Sequence, residues 1–192
     1  RHFIERLTKP GDRVYDPFMG RGTTLLEAAL LGRRPIGCDV NPLAAMLARP
    51  RLAPPTLEAI ADRLETLPLD RKVPAPKELL AFYHPGTLGE IAVLRAYLIA
   101  RDQAGTLDAV DDWIRMVALN RLTGHSPGFL SVYTMPPNQA VSVRSQRRIN
   151  RLRGQRPPRR DLKRLLLKKS ASLLKDCTDA DRQLPRRHGE RQ

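Results

Sequence analysis

The sequence predicts an α/β fold whose parallel sheet is incomplete, followed by a helical and strongly basic extension. Two observations carry this. The first 50 residues alternate strand, helix, strand, helix, with a glycine-rich turn after the first strand, which is how a parallel sheet with crossover helices begins. Beyond residue 50 the apolar residues fall at helical spacing, and positive charge gathers late in the chain.

Residues 2–7 carry Phe3, Ile4 and Leu7 at the spacing of a short helix, closed by the turn Lys9-Pro10-Gly11-Asp12. Arg13-Val14-Tyr15-Asp16 reads as a strand running into the glycine turn. An apolar helix over residues 23–31 follows, with Gly32 where a left-handed cap is needed. Residues 34–40 read as the second strand, and Cys38 inside that apolar pattern is expected to be a small buried thiol. Asn41-Pro42 is a helix start, with asparagine as cap and proline in the first turn.

Leu57, Ile60, Leu64 and Leu67 share one face of a helix over residues 56–67. Thr87 with Glu90 forms a capping-box pattern ahead of Leu88, Ile91, Leu94, Leu98 and Ile99. Val110, Trp113, Ile114, Val117 and Ala118 repeat the spacing, and a last helix is expected over residues 161–175. Residues 68–76 read as a linker. Residues 124–143 are aperiodic and hold Pro127, Pro136 and Pro137; a loop of that length inside a domain is usually functional or disordered. The expected division is an α/β portion at 1–50, a helical basic region at 51–176 and a flexible tail at 177–192.

A chain of 192 residues suits one domain with a proper core, or a core plus an appendage, but not two large domains. No apolar run approaches the roughly 18 residues that span a bilayer, and the start of the chain lacks a signal pattern, so a cytoplasmic setting is expected. Cys38 and Cys177 lie far apart in unlike surroundings, which argues for plain thiols over a disulfide framework or metal site. His84 and His125 stand beside turn residues without a second ligand at metal spacing, so structural roles are expected.

The net charge is +14. Between Arg144 and Lys169 twelve lysines and arginines face Asp161 alone, so that stretch carries +11 of it. Lysine and arginine that meet phosphates release condensed counterions, and the stretch points to a nucleic-acid backbone. Arg144, Arg147, Arg148, Arg151, Arg153, Arg159, Arg160 and Lys163 are the candidate contacts, with Asn138 or Gln139 in the preceding loop within reach of base edges.

The glycine turn excludes two common readings. A phosphate-binding loop needs Gly-Lys-Ser/Thr where this chain has Gly22-Thr23-Thr24, and a dinucleotide fingerprint needs a third glycine where Leu25 stands. What remains is a strand ending in Asp16, a tight Gly20-x-Gly22 turn, hydroxyls at a helix start and Asp39 closing the next strand. One carboxylate can hold an ammonium group, the turn admits close approach, and the other carboxylate can take both hydroxyls of a ribose. S-adenosylmethionine has all three features.

The segment Asp16-Pro17-Phe18-Met19-Gly20-Arg21-Gly22-Thr23-Thr24, with Glu27-Ala28-Ala29, Gly32-Arg33 and Ile36-Gly37-Cys38-Asp39-Val40-Asn41-Pro42, resembles the cofactor motif of DNA amino-methyltransferases of the adenine-N6 and cytosine-N4 type. The resemblance covers about the first 48 residues. It implies a Rossmann-like methyltransferase portion, S-adenosylmethionine as cofactor, DNA as substrate and a place in restriction-modification. It also implies roles. Asp16 would contact the methionine amino end, with Pro17 beside it; Phe18 would shape the pocket, and Gly20 and Gly22 would admit the cofactor. Thr23 and Thr24 would lie beside its carboxylate, Asp39 would hold the ribose, and Asn41 completes the binding set. An RNA guanine-N2 methyltransferase shares a very similar segment and is the alternative, as is a non-catalytic nucleic-acid-binding subunit.

Such enzymes also need Asp/Asn/Ser-Pro-Pro-Tyr/Phe to orient the target amine and stack on a flipped base. None of the Pro-Pro pairs fits: Pro54-Pro55 follows Ala53, Pro157-Pro158 lies between arginines, and Tyr133-Thr134-Met135-Pro136-Pro137-Asn138 has the right residue types in the wrong order. The catalytic residues are therefore unassigned. The chain is expected to be a fragment or split subunit, with the missing motif on another segment or a second polypeptide.

Overall fold

The structure is a computed structural model and describes residues 1–134 and 141–178. Its elements in order are α1 (His2–Leu7), β1 (Arg13–Asp16), α2 (Thr23–Leu30), β2 (Arg34–Gly37), α3 (Pro42–Leu52), α4 (Leu57–Thr66), a 3-10 turn (Lys77–Ala81), α5 (Pro85–Gln103), α6 (Ala109–Arg121), α7 (Val143–Leu152) and α8 (Leu162–Leu174). They form two compact units. The first takes residues 1–56, Asp108–Met116 and the described residues from Leu173 on; the second takes Leu57–Leu107 and Val117–Ser172.

In the first unit β1 and β2 pair in parallel, with Arg13 opposite Arg34 and Asp16 opposite Gly37. The crossover is α2, which packs on both strands and on α3 through Leu25, Ala28, Ala44 and Ala48. Gly32 ends α2 at φ 74°, where a side chain would be strained. Arg33, next in the chain, is buried and each of its three nitrogens donates: Nε to Thr8 Oγ1 at 3.0 Å, Nη1 to the Leu31 carbonyl at 2.6 Å and Nη2 to the Thr8 carbonyl at 2.7 Å, tying the end of α1 to the end of α2. Asn41 caps α3 as expected, its side-chain oxygen accepting from Leu43 N at 3.0 Å ahead of Pro42.

Two expectations are corrected here. The second strand stops at Gly37, short of Val40, and Cys38 is an exposed free thiol. A buried thiol presupposes a sheet covered on both faces, as parallel sheets usually are. With two strands, β2 shows solvent most of its length. Cys177 is half-buried and forms no disulfide among the described residues.

The second unit is helical around Ile60, Leu64, Leu88, Leu94, Leu98, Val117, Leu130, Leu162 and Leu166. The expected capping box at Thr87 and Glu90 is corrected. Helix α5 starts three residues earlier, at Pro85, with His84 as cap accepting from Gly86 N through Nδ1 at 3.1 Å. Thr87 and Glu90 serve tertiary contacts instead. The buried Thr87 hydroxyl donates to the Arg160 carbonyl at 2.9 Å and accepts from Arg160 N at 2.8 Å, while Glu90 accepts from Leu162 N at 3.1 Å at the start of α8. The part of the 124–143 stretch that is described is held by main-chain bonds: Leu130 N to Arg121 O, Ser131 N to Leu122 O and Val132 N to Phe82 O, with a parallel bridge between Gly124 and Tyr133. No described helix is long and apolar enough to cross a membrane.

Candidate functional site

The glycine turn is built by the ends of β1 and β2. Asp16 Oδ1 accepts from Phe18 N at 3.0 Å, which turns the chain at Pro17 as soon as the strand ends. Gly22 N donates to Met19 O at 2.7 Å, and Met19 N donates to Cys38 O at 3.0 Å, so the turn is stitched to the chain beyond β2. Gly22 is buried at φ 78°, and a Cβ there would stand 2.6 Å from Ala48 Cβ, so this glycine is required by backbone conformation and by packing of the turn on α3. Gly20, at φ 48°, differs. A Cβ there would meet only the Phe18 carbonyl at 3.9 Å, which leaves the backbone open to a close ligand.

Asp39 joins the two halves of the site. Oδ2 accepts from Gly20 N and Oδ1 from Asn41 N, both at 2.8 Å. These two amides hold its carboxyl below the ordinary value of 3.8, Asn41 contributing most, so it stays ionised at neutral pH. Each carboxylate oxygen retains a lone pair for a further donor. Thr23 and Thr24 open α2 after Gly22, and no side chain caps that N-terminus. First-turn amides left without a side-chain partner suit a carboxylate. Phe18 is exposed beside the turn.

The structure thus brings Asp16, Pro17, Phe18, Gly20, Gly22, Thr23, Thr24, Asp39 and Asn41 to one end of a two-stranded sheet. Sequence reasoning gave Gly37 no role of its own, yet a Cβ there would lie 2.6 Å from Met19 Sδ and 2.7 Å from Leu25 Cδ1. Its position within a strand pattern was the available signal.

The basic candidates separate by what they already hold. Arg144, Arg147, Arg148 and Arg151 lie within an arc of roughly 100° on α7 and are exposed, and no ion pair joins them to a described residue. The opposite face of α7 is tied down by amides. Gln146 Nε2 donates to Tyr133 O at 2.9 Å, and Asn150 Nδ2 donates to Ala81 O at 2.7 Å. Arg153 lies over the Tyr133 ring, 3.8 Å from its centroid. Arg159 is engaged by Glu90 in an ion pair, the Arg160 main chain is locked to Thr87, and Lys163 meets Glu65 at 3.3 Å. Met135, Pro136, Pro137, Asn138 and Gln139 lie outside the described residues, as does the expected tail from residue 179. No three metal-ligating side chains cluster among the described residues.

Residues 1–49 match the family model described as DNA methylase. This is the adenine-N6 and cytosine-N4 type of segment that Asp16 to Pro42 resembles. The chain also has relatives among named enzymes. A type II methyltransferase of Kocuria varians is 32% identical over 89 residues, 45% of this chain and 18% of that protein. One of Moraxella bovis is 51% identical over 45 residues, 21% of this chain and 17% of that protein. A tRNA (guanine(10)-N2)-dimethyltransferase of Methanocaldococcus jannaschii is 54% identical over 33 residues, 17% of this chain and 9% of that protein. The chain spans a fifth or less of the length of such type II methyltransferases. No solved structure matches it significantly.

Proposed function

We propose that this chain supplies the S-adenosylmethionine site, and part of the nucleic-acid grip, of an enzyme that methylates an exocyclic amine of DNA, adenine N6 or cytosine N4. The observation that carries this is the pair of carboxylates, Asp16 and Asp39, at neighbouring strand ends flanking a turn that is open at Gly20, within a segment that matches DNA methylases. The residues fit the group. Asp16 faces the amino end, the uncapped start of α2 at Thr23 and Thr24 takes the carboxylate, Asp39 with a lone pair free on each oxygen takes the ribose hydroxyls, and Phe18 offers an aromatic wall. When bound, S-adenosylmethionine supplies a methyl group activated by its sulfonium. Asn41 holds Asp39 ionised and oriented through its amide.

On the second unit, Arg144, Arg147, Arg148 and Arg151 present one exposed cationic face for DNA phosphates, and Arg153, Arg159, Arg160 and Lys163 hold that region together as well as adding charge. The groups that would hold the acceptor amine are sought on a separate segment or polypeptide bearing Asp/Asn/Ser-Pro-Pro-Tyr/Phe. In the full assembly the sheet continues as a Rossmann-like one.

A second reading, transfer to guanine N2 of RNA, is favoured by the tRNA dimethyltransferase relatives over 33 residues. Labelled methyl transfer to duplex DNA and to RNA, with the chain alone and with a motif-bearing polypeptide, separates the readings. Label in a DNA amino group when both are present is expected. Label in RNA alone would favour the second, and none in either with donor binding intact would make the chain a non-catalytic binding module.

A further inference from the structure

Within the first unit a cavity of about 430 Å³, which shares no lining residue with the candidate donor site, is lined by Leu26 and Leu30 of α2, Leu52 at the end of α3, Trp113 and Met116 of α6, and Leu173 of α8. Its size falls in the range of small-molecule sites, and buried Trp113 and Met116 give it an aromatic and thioether floor. One cation lines this apolar space. Arg51 is half-buried, and its guanidinium donates to the Arg21 carbonyl at 3.2 Å, which fixes its direction but neutralises nothing. No ion pair joins Arg51 to a described carboxylate. Asp176 also lines the cavity but is exposed, and water solvates it.

A half-buried guanidinium with no counter-ion loses hydration that only an anion restores in full. Burial, and secondarily the nearby Arg21 charge, hold Arg51 below the usual guanidinium value, which agrees with a cation short of compensation. The apolar walls select what accompanies the charge. We infer that this cavity binds a small amphipathic anion, with an alkyl or aryl body on Trp113 and Met116 and a carboxylate at Arg51. None of the residues assigned to the methyl-donor site takes part, so the inference stands or falls apart from that reading.

Trp113 is the chain's single tryptophan and reports directly. The probes are octanoate, octanol and acetate, added to the 192-residue chain at fixed ionic strength while Trp113 fluorescence is followed. Octanoate is expected to give a saturable change, octanol to bind about tenfold more weakly for want of the charged hydrogen bond, and acetate to give none. Arg51→Gln keeps a donor for the Arg21 carbonyl and is expected to bring octanoate down to the octanol level with the melting temperature unchanged. Octanol binding as tightly as octanoate, no saturable change with octanoate, or an unaltered octanoate titration in Arg51→Gln would each overturn the proposal. Leu30→Glu, at a half-exposed wall position, places a repelling charge at the same site and should weaken octanoate while leaving octanol nearly unaffected; equal loss of both would count against it.

Discussion

In the first unit Phe3, Phe18 and Val40 stand 74%, 83% and 98% exposed, whereas in the second Ile60, Leu130, Leu162 and Leu166 are wholly covered. The second unit closes a core with helices and the bonded stretch that carries Leu130. The first has a two-stranded parallel sheet, a form seldom stable without further strands or covering layers, and invests its specificity in a turn. Apart from the buried Gly22, the residues carrying the candidate chemistry are exposed or half-buried and have little burial to support them. Local rules hold them: left-handed glycines, an aspartate tied to two amides and an asparagine cap.

The contrast breaks most visibly in stability. Leu166→Ala in the second unit is expected to cost about 3 kcal/mol, read by denaturant unfolding, while Val40→Ala in the first costs under about 0.5 kcal/mol. Equal losses would erase the distinction. Gly22→Ala comes next, at about 2 kcal/mol, because the new Cβ meets Ala48 and the backbone stays at positive φ; Gly20→Ala, with open space around it, is expected to cost about 1 kcal/mol.

A smaller effect sharpens the reading of the arginines. Arg159→Ala should lower stability by about 1 kcal/mol through its bonds to Glu90 and Thr87, whereas Arg148→Ala should leave stability unchanged and reduce the salt dependence of DNA binding by about one phosphate contact. If both act on stability alike, the exposed face of α7 is not set apart for phosphates.

The smallest effect is in pH. Because folding lowers the Asp39 value, its stabilisation of the turn is complete above the unfolded carboxylate range, near 3.9, and is lost only as pH falls through the lower folded value. Amide resonances of Gly20 and Asn41 should therefore hold steady from about pH 7 to about pH 5 and move only below about pH 4. Movement near neutrality would contradict the pairing.

Much of the first unit was legible because its signals are local. Asn41-Pro42 announces a helix and Gly32 ends one whatever surrounds them. What escaped depends on partners distant in sequence. Thr87 and Glu90 satisfy a local capping pattern, yet Arg159, Arg160 and Leu162, about 70 residues away, claim them while His84-Pro85 starts the helix. Helix α7 was lost in its own charge, since the face it packs is made of Gln146 and Asn150, amides that no apolar periodicity reveals. Cys38 was misplaced for the opposite reason: its pattern is that of a covered strand, and the cover is absent from this two-stranded sheet. The candidate residues were legible as a set, but the two bonds from Gly20 N and Asn41 N that tie Asp39 across the strand ends were not.

The turn and its carboxylates are proposed to hold S-adenosylmethionine. Calorimetric titration of the donor into the chain and into Asp39→Asn, which keeps an acceptor for one turn amide, tests this most directly. The account predicts binding by the native chain and a loss of about tenfold or more in the variant; equal affinity in the two would contradict it.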